Sequence, residues 1–269
     1  MDAVVFEAVR KQFHHRRAFV PWFGHERGGV TRALLDISLA VPKQSVLALL
    51  GPNGSGKTTA LKLISTMLVP DQGTITVGGE NASANPGAVR RLVGFTVANE
   101  RSFFPRLTAR ENLEFFAALD EVPKHERARR INGELSVTGL SDAADTLVMK
   151  FSSGMYQRLG IARALVKRPS VLLLDEPTRS LDAATTAHFW TTIRTLASHQ
   201  TTVLLATHNF AEAVAVGDRL LLLHHGALLA DRPLNADESA DSLRSFYFGM
   251  TGEIDEAAIT THRQDTQAQ

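Results

Sequence analysis

SVLALLGPNGSGKTTALKLISTML, residues 45–68, decides the fold. Its first six residues are an almost unbroken aliphatic run, the pattern of a strand buried on both faces. Its last ten carry Leu61, Leu63, Ile64 and Leu68 among polar residues, the pattern of a helix. Between them stands Gly51-Pro52-Asn53-Gly54-Ser55-Gly56-Lys57-Thr58-Thr59, which satisfies G-x-x-x-x-G-K-[ST] in the strand–loop–helix context that motif requires. Gly51, Gly54 and Gly56 let the backbone wrap closely around a phosphate, with amide N–H groups at the positive end of a helix. Lys57 adds a point charge for β- and γ-phosphates, and Thr58 a hydroxyl for Mg²⁺. A glycine-rich turn that merely opens a helix is the competing reading, but it would not need the lysine and threonine in register. The loop is expected to bind a nucleoside triphosphate.

Such a site needs a second ligand for the metal and a base for water. VLLLDEP, residues 171–177, places Asp175 at the end of another aliphatic run, beside the loop if the sheet is parallel. Asp175 is expected to hold Mg²⁺ through water, and Glu176 to polarise the attacking water. TVLLATHN, residues 202–209, ends a third such run at His208, whose imidazole can bridge the water and a γ-phosphate oxygen. His224 and His225 read as solvated turn residues.

The rest of the 269 residues is organised around these motifs. AVVFEAV, LDISLAV and GTITVGG are short β-type runs bounded by turn formers such as Pro42-Lys43 and Asp71-Gln72-Gly73. From about Leu107 the pattern turns helical, opened by Thr108 and Glu111 at capping-box spacing. Sequence rich in arginine then continues to Arg168 and stops at Pro169. TTAHFWTTIRTLASHQ separates the second and third aliphatic runs as a helix. The expected layout is one core from 1–98 and 169–235 with a helical insertion over about 99–168. After Leu223 periodicity fades, and 236–269 reads as a short C-terminal helix or tail, partly disordered.

Lys and Arg number 29 against 28 Asp and Glu, so no global field pulls the chain onto nucleic acid or lipid. With no cysteine there are no disulfides, thiolate metal sites or cysteine nucleophiles. No apolar run reaches spanning length and MDAVVFEAVRKQF lacks a signal-peptide core, so the chain reads as intracellular, with any membrane span left to another polypeptide.

Together these motifs resemble, over most of residues 1–235, the nucleotide-binding subunit of ATP-binding cassette (ABC) transporters. GPNGSGKTT is similar to its Walker A loop, VLLLDEP to its Walker B strand, SLD (180–182) to its D-loop, and His208 to its switch histidine. The implied fold is α/β: a P-loop NTPase with a RecA-like core, an N-terminal antiparallel β-subdomain and an inserted α-helical subdomain. FSSGM, residues 151–155, falls where the family writes its LSGGQ signature, just before YQRLGIARAL. In that family two subunits pack head to tail. The resemblance therefore implies that Ser152, Ser153, Gly154 and Met155, with Asp182 of the D-loop, reach ATP held by the P-loop of a second copy. Helix capping by serine is the competing explanation. Ser153 keeps a donor where glycine is common; Met155 loses the polarity of the usual glutamine.

The family also places a glutamine after a strand near 95–99. Counting back from Leu107-Thr108, Asn99 takes that position, its amide oxygen available to Mg²⁺ or the water, with Glu100 as the alternative. Family members stack an aromatic ring on adenine; Phe13 is the expected ring and Phe23 its competitor. NERSFFPRLTARENLEFF, SSGMYQRL and TRSLD are similar to the exporter branch, whose permeases have six spanning helices and move polysaccharides, lipid-linked glycans or drugs outward. Phe103, Phe104 and Leu107 either receive a permease helix or belong to the helical core. The insertion HHRRAFVPWFGHERGG (14–29) either meets headgroups or permease, or is a solvated loop.

The expectation is an ATP-hydrolysing subunit, cytoplasmic and peripheral on the cell membrane's inner face, forming a homodimer around two MgATP. That homodimer would drive a separate permease and have no nucleic-acid partner. The alternative is an ABC-type ATPase acting in DNA repair or translation. Against it stand the single cassette, the missing cysteine clusters and the lack of a long coiled-coil insertion. A P-loop kinase or GTPase would need an acceptor site or an N/TKxD segment, and neither is visible.

Overall fold

A computed structural model describes residues 2–14, 29–97, 102–198 and 201–253. A four-stranded antiparallel sheet is built from β1 (Asp2–His14), β2 (Val30–Pro42), β4 (Gln72–Val77) and β5 (Glu80–Asn81), in the order β2-β1-β4-β5. The second sheet has six strands in the order β10-β9-β3-β8-β7-β6. Here β3 (Val46–Leu50), β6 (Val93–Val97), β7 (Val171–Asp175), β8 (Thr202–Thr207) and β9 (Arg219–His224) run parallel, and β10 (Ala227–Pro233) pairs antiparallel at the edge.

The aliphatic runs form central strands because both faces of this sheet are covered. On one face Leu47, Leu49, Leu173, Leu204 and Leu221 pack with Leu61, Leu63 and Ile64 of α1 (Lys57–Ile64) and with the antiparallel sheet. On the other, Val46, Leu172, Leu174, Val203 and Leu205 meet Phe189 and Ile193 of α6 (Ala183–Ser198). Ala48, Leu50, Leu220 and Leu222 meet Ala213 of α7 (Phe210–Val216). Truncating any of these buried leucines to alanine costs about 2–5 kcal/mol. The short α2 (Pro86–Leu92) leads into β6.

A helical segment follows β6. It comprises α3 (Ala109–Leu119), α4 (Lys124–Val137) and α5 (Ser153–Val166). The capping box at the head of α3 is complete: Glu111 N–H donates to Thr108 Oγ1 at 3.2 Å, and Thr108 N–H to Glu111 Oε2 at 2.7 Å. Asn112, fully buried, donates to the carbonyls of Phe104, Leu107 and Thr108 and accepts from Phe104 N–H, fixing the preceding loop. The aromatic pair there is divided. Phe103 is buried in the helical core, whereas Phe104 is exposed and stands edge-on to Phe115. Helix α5 serves both lobes, with Leu159, Ala162 and Val166 in the helical core and Ile161, Ala164 and Leu165 against the parallel sheet.

A short helix was expected within 236–269; the edge strand before it was not read from the sequence. Order continues past Leu223 through β10 and into α8 (Ala240–Thr251), which Ser239 caps by accepting from Ser242 N–H at 3.0 Å. Periodicity fades there because β10 is a half-buried edge strand with a register shift between Leu228 and Ala230. In addition, α8 buries only Leu243 and Tyr247. His224 is not a solvated turn residue: its Nε2 lies 3.1 Å from Glu253 Oε1, and Tyr247 OH donates to Glu253 Oε2 at 2.9 Å. His225 is exposed.

Candidate functional site

The loop between β3 and α1 lines a cavity of about 850 Å³, together with Phe13 from β1, Asp175 and Glu176 from the end of β7, and Arg179. Two of its glycines are set by close packing. A Cβ on Gly56, whose φ is 112°, would lie 2.5 Å from Ala33 O, and one on Gly51 would lie 2.1 Å from Leu223 O. The loop is thereby wedged between β2 and the end of β9, and α1 starts with no side chain capping its free amides.

Inside this cradle the chemistry is that of an anion site. Lys57 is buried, and its Nζ donates only to loop carbonyls, Gly51 O at 2.6 Å and Pro52 O at 3.1 Å. Burial holds its pKa below the ordinary lysine value against the pull of Glu176 and Asp175. Ser55 Oγ is buried without a partner. A buried ammonium hydrogen-bonded to carbonyls alone and an orphan hydroxyl both suit incoming phosphate oxygens. Thr58 Oγ1 donates to Asp175 Oδ2 at 2.7 Å, joining two of the three expected metal ligands. Burial raises the Asp175 pKa, partly offset by that hydrogen bond. Among the described residues no group of three or more His, Asp or Glu side chains gathers to hold a metal. A hydroxyl and one carboxylate fit Mg²⁺ shared with nucleotide phosphates, the usual donor set for this hard ion.

Glu176 and His208 meet at the adjoining strand ends, Glu176 Oε2 lying 2.7 Å from His208 Nδ1. Glu176 itself has φ of 51°, a left-handed backbone in a residue with a side chain, of the kind that clusters at working sites. Its N–H donates to Ala206 O on β8 at 2.9 Å. Phe13 lines the cavity and has Lys11 Nζ 5.6 Å from its ring centroid. Phe23, Asn99 and Glu100 lie outside the described residues, as does most of the 14–29 insertion.

FSSGM is not part of this cavity in the same chain. Ser152 caps α5 by accepting from Met155 N–H at 3.2 Å, so the capping role is real. Ser152 and Ser153 nevertheless remain exposed at the helix mouth, where free amides and hydroxyls can meet an anion. Met155 is partly buried against the helical core, which accounts for an apolar side chain there. A Cβ on Gly154 would lie 3.1 Å from Ser180 O, so this corner rests on the SLD turn. Asp182 accepts from Thr185 N–H at 2.8 Å and from its hydroxyl at 2.9 Å; these bonds lower its pKa.

Two polar residues at this site escaped the motif reading. Gln157 is buried and donates to the carbonyls of Glu176 and Pro177; a glutamine within YQRLGIARAL was its only sign. Glu212 is buried, and burial raises its pKa although Thr207, Thr178 and Trp190 face its carboxyl group. Its signal was an acidic residue on a short helix directly after the histidine.

The profile of the ABC transporter family matches residues 34–179. The ABC transporter ATP-binding protein NatA of Bacillus subtilis (strain 168) is 37% identical over 200 residues, covering 74% of this chain and 81% of NatA. The daunorubicin resistance ATP-binding protein DrrA2 of Streptomyces coeruleorubidus is 38% identical over 229 residues, 85% of this chain and 69% of DrrA2. A sulfate/thiosulfate import ATP-binding protein, CysA of Mycobacterium tuberculosis (strain ATCC 25618 / H37Rv), is 39% identical over 221 residues, 78% of this chain and 62% of CysA. Among solved structures, the dimeric post-hydrolysis state of the ATP-binding cassette MJ0796 bound to ADP and Pi aligns with a TM-score of 0.74 at 26% identity. It covers 86% of this chain and 99% of that one.

Proposed function

The chain belongs to the ABC transporter family as an ATP-hydrolysing subunit, and from that premise we propose that it drives an exporter as a homodimer closed around two MgATP. The observation that carries the proposal is the separation of two anion-binding elements within one chain. The P-loop, Asp175 and Glu176 line one cavity, with His208 against Glu176, while Ser152, Ser153, Gly154, Met155 and Asp182 lie outside it on the same molecule. A head-to-tail pair brings each exposed corner over the other copy's P-loop, so nucleotide becomes part of a symmetric interface.

In this reading Pro52, Asn53, Gly54 and the neighbouring amides wrap the phosphates, and Lys57 exchanges its loop carbonyls for phosphate oxygens. Thr58 and Asp175 would hold Mg²⁺, which when bound neutralises charge on the β- and γ-phosphates. Glu176 accepts a proton from the attacking water at its carboxylate. His208 Nδ1–H orients that carboxylate and excludes alternative rotamers. Ser152 and Gly154 of the second copy donate toward the γ-phosphate, and Asp182 lines the seam. Asn99 would offer its amide oxygen to the metal, and Phe13 would stack on adenine. The ATPase unit spans 1–235, with core segments 1–98 and 169–235 flanking the helical insertion.

Among the described residues no helix is long and apolar enough to cross a membrane. The proposal gives the span to a separate permease, with this subunit on its cytoplasmic side. Export is favoured over import by the NERSFFPRLTARENLEFF segment and by likeness to a relative named for daunorubicin resistance, against likeness to one named for sulfate import. Purification of the native complex from membranes tests the assignment. An integral polypeptide with six spanning helices should co-elute, and inside-out vesicles carrying both should concentrate cargo in their lumen on addition of ATP. Recovery with ribosomes or DNA and no integral protein overturns the transporter assignment; cargo depleted from the vesicle lumen overturns export.

A further inference from the structure

Gln157 connects two parts of this chain that the proposed dimer assigns to different active sites. It lies in the second turn of α5, downstream of the Ser152–Gly154 corner, and is only 5% exposed. Its Nε2 donates to Glu176 O at 3.1 Å and also to Pro177 O. Both partners are carbonyls, which can only accept, so the amide group is fixed with its nitrogen toward them. Its Oε1 is buried with no partner.

The far end of that link is a strained residue. Glu176 holds φ at 51° between two restraints, its N–H on Ala206 O at 2.9 Å and its carbonyl under Gln157. A left-handed residue bearing a side chain persists only where neighbours over-determine it. The near end is equally fixed, because Gly154 rests on Ser180 and the turn there closes through Leu181 N–H to Thr178 O at 3.0 Å. Movement of the corner is thereby transmitted to the Glu176 backbone with few soft degrees of freedom between them.

We propose that Gln157 is a positioning residue that ties the Ser152–Gly154 corner to the backbone of Glu176 in the same chain, so that a nucleotide gripped on the second copy sets the pose of this copy's base. The inference rests on the dimer reading above. It gives each chain a path by which occupancy of one pocket is felt at the other, with Gln157 touching neither nucleotide.

The test uses full-length mixed dimers in which Lys57→Ala silences one P-loop, so that one pocket is counted. Gln157→Met keeps the volume and removes the donor. Placed in the chain whose Glu176 serves the counted pocket, it should lower kcat roughly ten- to hundred-fold, with KM for ATP and the melting temperature unchanged. Placed in the silenced chain, which supplies only the corner, it should leave turnover where Lys57→Ala alone put it. Ser152→Arg should give the opposite pattern. Should Gln157→Met fold poorly, Gln157→Glu, normalised to folded protein, is judged by the same placement rule. Loss in both placements, in the silenced chain only, or in neither overturns the link while Ser152→Arg still acts across the interface. Ser152→Arg acting only within its own chain overturns the dimer reading and the link together.

Discussion

Glu176 Oε2 and His208 Nδ1 are 2.7 Å apart, although the two residues close different strands and are separated by the whole of α6. The parallel pairing of β7 with β8 brings them together, Asp175 lying opposite Ala206. The imidazole therefore holds the carboxylate before nucleotide arrives. Glu176→Gln should retain ATP binding and lower kcat by about 10²–10⁴-fold, the usual contribution of a positioned base. With hydrolysis stalled, the variant should shift to dimer on gel filtration in MgATP. Ordinary turnover in this variant would remove Glu176 as the base.

Lys57 should show opposite effects on binding and stability. Its ammonium is buried against neutral carbonyls, and desolvation lowers its pKa, so the charge costs the nucleotide-free protein stability at neutral pH. Lys57→Met should weaken ATP binding by about 1.5–3 kcal/mol, roughly ten- to 150-fold, through loss of a charge-assisted contact. The same change should leave the melting temperature equal or higher, because an apolar chain of similar length replaces a buried charge. Titration calorimetry and thermal unfolding on one preparation check both. Parallel loss of affinity and stability would make Lys57 a structural residue.

The candidate site was legible where chemistry fixes residue type and spacing. The P-loop, Asp175, Glu176 and His208 announced themselves because aliphatic strands buried on both faces leave no polar residue before the strand end, where ligands bind in parallel sheets. The start of α3 was readable from Thr108 and Glu111, whose capping box is complete. Gln157 and Glu212 were not, since a buried polar side chain looks like any surface glutamine or glutamate until its partners, some twenty residues away for Gln157, are placed in space. β10 escaped for the opposite reason: an edge strand with half-exposed faces and a shifted register carries no alternation to detect.

Glu212 gives a pH-dependent stability effect with a definite sign. Burial raises its folded pKa above the ordinary 4.5, so the folded state binds a proton that the unfolded chain has already released. Stability conferred on the wild type is then full below the ordinary value and is lost as pH rises toward the folded value. Glu212→Gln removes that loss. The variant should gain on the wild type by at most about 1.4 kcal/mol per pH unit across this window, as read by urea unfolding at several pH values. An advantage that shrinks with rising pH would mean the carboxylate is stabilised in its charged form.

The serine at the mouth of α5 can be tested by separating its two roles. Ser152 Oγ accepts from Met155 N–H within its own chain, and removing that cap with Ser152→Arg should cost about 1 kcal/mol of stability. Ser152→Asp retains an acceptor for the same N–H and should unfold at the wild-type temperature, yet it sets a negative charge where a γ-phosphate is proposed to dock. Both variants should therefore depress hydrolysis, and in mixed dimers with Lys57→Ala the loss should fall on the P-loop of the other chain. If Ser152→Asp hydrolyses ATP normally while Ser152→Arg does not, the serine is a helix cap only, and the shared pocket fails at this corner.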